Sequence, residues 1–182
     1  MNKFKQFDIL APGIYSTVSP DLNSGLDLIF KYVEENKISW IQQENEPWHM
    51  TFYPDGEKYY KEVYDYFDKK FQEIESDYFL DFHTPRKIIS YKRHYVWIAK
   101  YSNDNHMFRH FDDQDDEKPY RSSTLYYPND DYEGGEIEFP RFNLSIKPKK
   151  DEVIVFPASY AYDHLVLPIT NGTRYLIGTV QG

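Results

Sequence analysis

From Arg86 onward the chain is cut into short segments rich in β-branched and aromatic residues: RKIISYKRHYVWIAKYS, MFRHFD, SSTLYYP, GEIEF, NLSIK, EVIVF, HLVL and TRYLIGTV. The breaks between them carry NDD, EGG, PKKD, PAS and TNG, all of them turn chemistry. Many short strands at this spacing predict a sandwich or a barrel. RKIISYKRHYVWIAKYS is long enough for one or two strands.

The first half reads differently. Ser24 is placed to cap a helix running to about Asn36, with Leu26, Ile29, Phe30 and Val33 on one face. A second helix is expected from about Asp55 to Ser76, with an apolar stripe of Tyr60, Val63, Tyr64, Phe67, Phe71 and Ile74. Between them WIQQENEPWHMTFYPDG reads as a loop or a short strand. Two helices ahead of the strands would cover one face of a sheet. The expected fold class is therefore α+β, with a C-terminal β-barrel or jelly roll. A chain of 182 residues fits one domain, with helical support over about 1–85 and the β-core over about 86–182. Trp48 and Trp97 are expected in the core.

Composition narrows the function. The net charge of −9 lacks the electrostatic footprint of a nucleic-acid partner. The local basic clusters, Arg86–Lys87, Lys92–Arg93 and Lys147 with Lys149 and Lys150, read as solvated strand ends and turns. No apolar run approaches membrane-spanning length and MNKFKQFDIL lacks a signal-peptide core, so no membrane partner and a cytoplasmic location are expected. The absence of Cys removes disulfides, zinc knuckles and thiol nucleophiles. DDQDDE at 112–117 lacks the glycine an EF-hand turn requires.

The segment FRHFDD sets His110 and Asp112 two positions apart, on one face of a strand. A third ligand would come from His49, His83, His94, His106 or His164. His164 stands out because it opens HLVL after the proline turn FPASYAYD. Two histidines and a carboxylate on one side of a metal leave open positions, the arrangement of non-haem Fe(II) oxygenases. Arg174, ten residues after His164, offers a forked donor for a carboxylate. Tyr127 is placed to add a phenol to it, while Tyr126 points to the opposite face. Arg109 and Phe111 should face away from the metal, residues 112–121 could wall the site, and His106 reads as an exposed bystander near its mouth.

These residues, in the segments YSNDNHMFRHFDD, STLYYPNDDYEGGEIEFP and IKPKKDEVIVFPASYAYDHLVLPITNGTRYLI, resemble the double-stranded β-helix core of Fe(II)- and 2-oxoglutarate-dependent dioxygenases, in particular the prolyl 4-hydroxylase-like group. The resemblance covers residues 95–180. It implies Fe(II) on His110, Asp112 and His164, and 2-oxoglutarate held at its far carboxylate by Arg174 and Tyr127, with Tyr101 near the metal or co-substrate. It implies consumption of O2, release of succinate and carbon dioxide, hydroxylation of a C–H bond, and ascorbate as a supporting reductant. The group points to a prolyl or other residue of a peptide or protein as substrate. A free amino acid or small metabolite is the alternative, and a cupin-like binding protein without turnover a third. The retained Asp112 disfavours a halogenase. Two positions depart from the family pattern: Asp151 stands where many members have Gly, and Val180 where many have Trp. Nothing in the sequence marks an oligomeric state.

Overall fold

The computed structural model describes residues 7–36, 39–41, 46–81, 93–113 and 121–182. Their backbone forms two facing sheets with a pair of helices on the outside. The strands are β1 (Asp8–Ala11), β2 (Ile14–Val18), β3 (Trp48–Phe52), β4 (Arg93–Ser102), β5 (Met107–His110), β6 (Ser122–Tyr127), β7 (Glu133–Gly134), β8 (Ile137–Phe139), β9 (Leu144–Ile146), β10 (Glu152–Pro157), β11 (His164–Val166), β12 (Ile169–Asn171) and β13 (Thr173–Gln181); the helices are α1 (Asn23–Asn36) and α2 (Lys58–Asp81). A major sheet of seven strands runs β1-β2-β10-β6-β13-β4-β3, a minor sheet runs β5-β11-β8-β9, and β12 pairs with β7. Every named pairing is antiparallel. This is the jelly-roll core with supporting helices that the sequence predicts.

Alternation along the major sheet divides the core in two. One face carries Val96, Ile98, Tyr126, Val153, Val155 and Ile177, and meets the helix stripe of Val63, Tyr64, Phe67, Phe71 and Ile74. The other carries Ala99, Tyr101, Leu125, Tyr127, Ile154, Phe156 and Leu176, and meets Ile137, Phe139 and Val166 of the minor sheet. Tyr126 and Tyr127 thus fall on opposite faces, as the period of two requires. Gly25 lets α1 approach α2 closely, since a Cβ there would lie 2.4 Å from the Phe67 ring.

Several expectations need correction. The N-terminal half is not purely helical: β1 and β2 join the major sheet, alongside β3, the short strand within WIQQENEPWHMTFYPDG. The first two form a hairpin around Pro12–Gly13, and Ile14–Ser16 of β2 are buried on both faces, so no alternation betrays the strand. Ser24 lies inside α1 rather than capping it, because a 3-10 turn over Pro20–Leu22 precedes the helix. Helix α2 starts at Lys58, after Pro54, Asp55 and Gly56 close a turn, and extends to Asp81; Tyr78 continues its buried stripe and donates to Gly13 O at 3.0 Å. The segments EGG and TNG, read as turns, contribute residues to the short strands β7 and β12. Trp97 packs partly buried against the inter-sheet core, but Trp48 is 39% exposed beside Lys100. Arg93 is no solvated strand end. It is 3% exposed and donates to Glu75 and Asp68 of α2. Arg86, Lys87, Lys92 and His83 lie outside the described residues. No helix among the described residues is long and apolar enough to cross a membrane.

Asp151, the first departure from the family pattern, keeps the turn that a glycine would make. It adopts φ 64°, in the left-handed region that Asp tolerates better than most residues. Its N–H donates to Tyr127 O at 2.8 Å and its carboxylate accepts from Tyr126 at 2.9 Å. Val180, the second departure, is buried.

Candidate active site

Strand β5 pairs with β11 so that His110 and His164 are direct cross-strand partners. Their rings lie 4.4 Å apart between centroids. Asp112, just past β5, brings Oδ1 to 3.5 Å from His110 Nε2 and 4.0 Å from His164 Nε2. Among the described residues these three form a cluster whose candidate ligand atoms all lie within 4.8 Å of one another. Sequence spacing gives the pair; the third member arrives only through strand pairing.

The histidine tautomers follow from the backbone. His110 Nδ1 lies 2.7 Å from Phe108 O, and His164 Nδ1 lies 3.2 Å from Tyr162 O. A carbonyl can only accept, so each Nδ1 carries a proton, and each ring, when neutral, offers Nε2 as a lone pair. Asp112 Oδ2 accepts a short hydrogen bond from Ser123 on β6, which leaves Oδ1 toward the histidines. Burial disfavours the charged form of all three groups. For His110 the hydrogen bond and charge of Asp112 overcome burial and raise its pKa, while for His164 burial wins and lowers it. For Asp112 burial is outweighed by the His110 bond, the His164 charge and the Ser123 hydroxyl, so its carboxyl titrates lower than usual. A carboxylate and two neutral imidazoles are the donor set that a divalent iron takes. His164 lies against Phe139 and Phe156, and its side chain is 5% exposed against 28% for His110, so the cluster is reached from the His110 side.

The major sheet supplies a second group of polar side chains. Arg174 on β13 is fully buried, and its guanidinium carbon sits 4.2 Å from the Tyr101 ring centre and 5.3 Å from that of Tyr127. Its Nη1 donates to Gly135 O at 2.7 Å. Arg174 Nε and Nη2, Tyr127 Oη and Tyr132 Oη are buried without a hydrogen-bond partner among the described residues. A buried polar atom left unpaired costs about 1–3 kcal/mol, more when charged. Unpaired buried donors on Arg174 and the neighbouring Tyr127 are what an anion would take up. Burial raises the pKa of Tyr101, with the Arg174 charge opposing and Asp112 adding to the rise. Tyr101 is therefore within electrostatic reach of both polar groups.

Arg109 turns away from the cluster and, with Arg141, pairs with Asp163. His106 Nδ1 approaches Asp104 O at 3.0 Å and its ring meets Phe108 edge-on, outside the cluster. Residues 114–120 of the expected wall lie outside the described residues. Sequence reasoning missed Ser123 and Tyr132. Ser123 was within reach, because alternation along β6 sets it on the same face as Leu125 and Tyr127.

Residues 96–179 match the model of the family described as the 2OG-Fe(II) oxygenase superfamily. A curated relative, procollagen-lysine,2-oxoglutarate 5-dioxygenase 1 of Mus musculus, is 33% identical over 73 residues, which cover 36% of this chain and 10% of that protein. The chain thus spans a small fraction of that relative's length. Solved structures share the fold. The viral collagen prolyl hydroxylase of Paramecium bursaria Chlorella virus-1, as its 2OG complex, superposes with TM-score 0.68 at 22% identity, covering 93% of this chain and 94% of that one. A prolyl hydroxylase from Trichoplax adhaerens, in complex with a hypoxia inducible factor peptide fragment, gives TM-score 0.70 at 17% identity, covering 94% and 84%. A Pseudomonas putida prolyl-4-hydroxylase gives 0.64 at 17%, covering 94% and 93%. The His-Asp-His cluster and the buried arginine fall within the residues that the family matches, on the fold that the prolyl hydroxylases share. Residues 96–179 accordingly resemble the 2OG-Fe(II) oxygenase superfamily, and the chain shares its fold with prolyl hydroxylases.

Proposed function

We propose that the protein hydroxylates a C–H bond in a prolyl or other residue of a peptide or protein, with Fe(II) on His110, Asp112 and His164 and 2-oxoglutarate on Arg174 and Tyr127. The observation that carries this is the pairing of two complete donor sets across the two sheets: a His-Asp-His cluster with its Nε2 atoms turned inward, and an arginine with unpaired buried donors. When bound, iron would activate dioxygen, with 2-oxoglutarate as the reductant: one oxygen atom would enter succinate as carbon dioxide leaves, and the other would become the hydroxyl on the substrate C–H bond.

The chain's own residues do the rest. The carbonyls of residues 108 and 162 fix the imidazole tautomers, and Ser123 fixes the carboxylate. Arg174 would give a carboxylate a bidentate seat buried from solvent. Tyr101 packs against the guanidinium and would line the space between metal and anchor. Access from the His110 side, where Phe108 is 66% exposed, suits a substrate residue presented from a larger chain. One structural neighbour is named for collagen and another is bound to a hypoxia inducible factor peptide fragment, which supports a peptide in that role.

Anaerobic titration with Fe(II) and 2-oxoglutarate tests the site. The wild type should develop the visible metal-to-ligand charge-transfer band. His164→Ala should lose Fe(II) binding, and Arg174→Ala should lose 2-oxoglutarate affinity while keeping metal affinity similar. Aerobic incubation with proline- and lysine-bearing peptides tests the substrate class. Gain of one oxygen on a peptide, matched by succinate, is the expected result, and oxygen gained only by free amino acids would overturn it.

A further inference from the structure

The anion's seat holds one donor more than the arginine and strand tyrosine account for. Tyr132, in the loop before β7, is 6% exposed, and its hydroxyl is buried with no partner among the described residues. Its ring is held on several sides. Lys147 Nζ lies 3.7 Å from the ring centre and also donates to Gly134 O. A Cβ on Gly135 would stand 3.3 Å from Tyr132 Cε2 and 3.5 Å from Arg174 Cδ, so the Tyr132 ring edge and the Arg174 stem flank that glycine. On the far side, a Cβ on Gly172 would lie 3.2 Å from Tyr132 Cβ. The ring has little freedom to swing its hydroxyl out to solvent.

The donor count is specific. Arg174 spends Nη1 on Gly135 O and keeps Nε and Nη2 unpaired. Tyr127 and Tyr132 each keep a hydroxyl. That makes four unpaired donor atoms, enough to meet the roughly four lone-pair sites on the two oxygens of an ionised carboxylate. We propose that Tyr132 completes this seat as the fourth donor to the distal carboxylate of the co-substrate, and so selects for a 2-oxo acid that carries a carboxylate at that distance. The proposal rests on the reading above that 2-oxoglutarate occupies Arg174. A donor must stay protonated, and Tyr132 does: burial pushes its pKa up to about 12 despite the nearby Arg174 charge. The simpler role for Tyr132 is packing, since it also belongs to the inter-sheet core. Tyr132→Phe separates the two, because it keeps the ring and deletes only the donor.

The experiment is calorimetric titration of the Mn(II)-loaded protein with 2-oxoglutarate and with oxalate, which chelates the metal and has no distal carboxylate. Tyr132→Phe should weaken 2-oxoglutarate binding about tenfold or more, the range for a hydrogen bond to a charged group, and should leave oxalate binding unchanged. Unchanged 2-oxoglutarate affinity in Tyr132→Phe, with tight binding by the wild type, overturns the role of Tyr132 alone. Equal weakening of both ligands also overturns it, in favour of a packing role. A wild type that binds oxalate and not 2-oxoglutarate overturns the underlying pocket and this proposal with it.

Discussion

At the scale of single residues, the site depends on side chains whose partners are settled by backbone alternation. Ser123 sits on the inward face of β6 and donates to Asp112 Oδ2. Without that hydroxyl the carboxylate is free to rotate, and the donor set is no longer preorganised. Groups that orient metal ligands typically contribute 10–100-fold to metal affinity. Ser123→Ala should therefore weaken Mn(II) binding by roughly 10–100-fold, with Ser123→Thr restoring most of it. Calorimetry reads both, and equal binding by all three proteins would show that Asp112 holds its position unaided. Asp151 makes a related point about residue identity. The sequence reads it as a break from a glycine pattern, yet the structure gives it φ 64° and two hydrogen-bonding roles. A non-glycine residue that tolerates the left-handed region fills the turn.

At the scale of elements, helix α2 is tied to the major sheet by more than its aromatic stripe. Glu75, 1% exposed, accepts from Arg93 Nη2 at 2.6 Å and from Thr124 at 2.7 Å. Thr179 closes the network by accepting from Arg93 at 3.0 Å. Breaking a buried pair from one side leaves its partner charged in the core. Glu75→Ala should therefore destabilise the protein by about 3–5 kcal/mol, read by urea denaturation; a loss below about 1 kcal/mol would mean that Asp68 alone satisfies Arg93. Such a network is invisible in sequence because its members lie far apart in the chain. The short C-terminal strands were legible because turn residues separate them, and α2 was legible because Val63, Phe67, Phe71 and Ile74 repeat at helical spacing. The β1–β2 hairpin was not, since a strand buried on both faces shows no alternation. His110 with Asp112 could be read from local spacing, and His164 and Arg174 from their order along the chain. Tyr132 could not, since its place beside Arg174 depends on how the loop before β7 folds back.

At the scale of the molecule, the two sheets divide the chemistry between them. The minor sheet carries His110 and His164, and the major sheet carries Arg174, Tyr127, Tyr101 and Ser123. A co-substrate that chelates the metal at one end and meets Arg174 at the other would bridge the sheets, and its binding energy would add to the stability of the whole. At a hundred times its dissociation constant a ligand adds about 2.7 kcal/mol, or roughly 5–10 °C in a chain of this size. The ligand-free protein pays the opposite term, because Arg174 is fully buried with two nitrogens unpaired. A buried charge without a counter-ion is destabilising relative to an apolar side chain of similar length. Arg174→Met should therefore raise the melting temperature of the ligand-free protein while abolishing the increment that 2-oxoglutarate and Mn(II) give the wild type beyond Mn(II) alone. Differential scanning calorimetry of both proteins, with and without each ligand, checks the two effects together. A variant that melts lower without ligand would show that the Arg174 bond to Gly135 O outweighs the cost of its buried charge. A variant that keeps the co-substrate increment would place the distal carboxylate somewhere other than between the sheets.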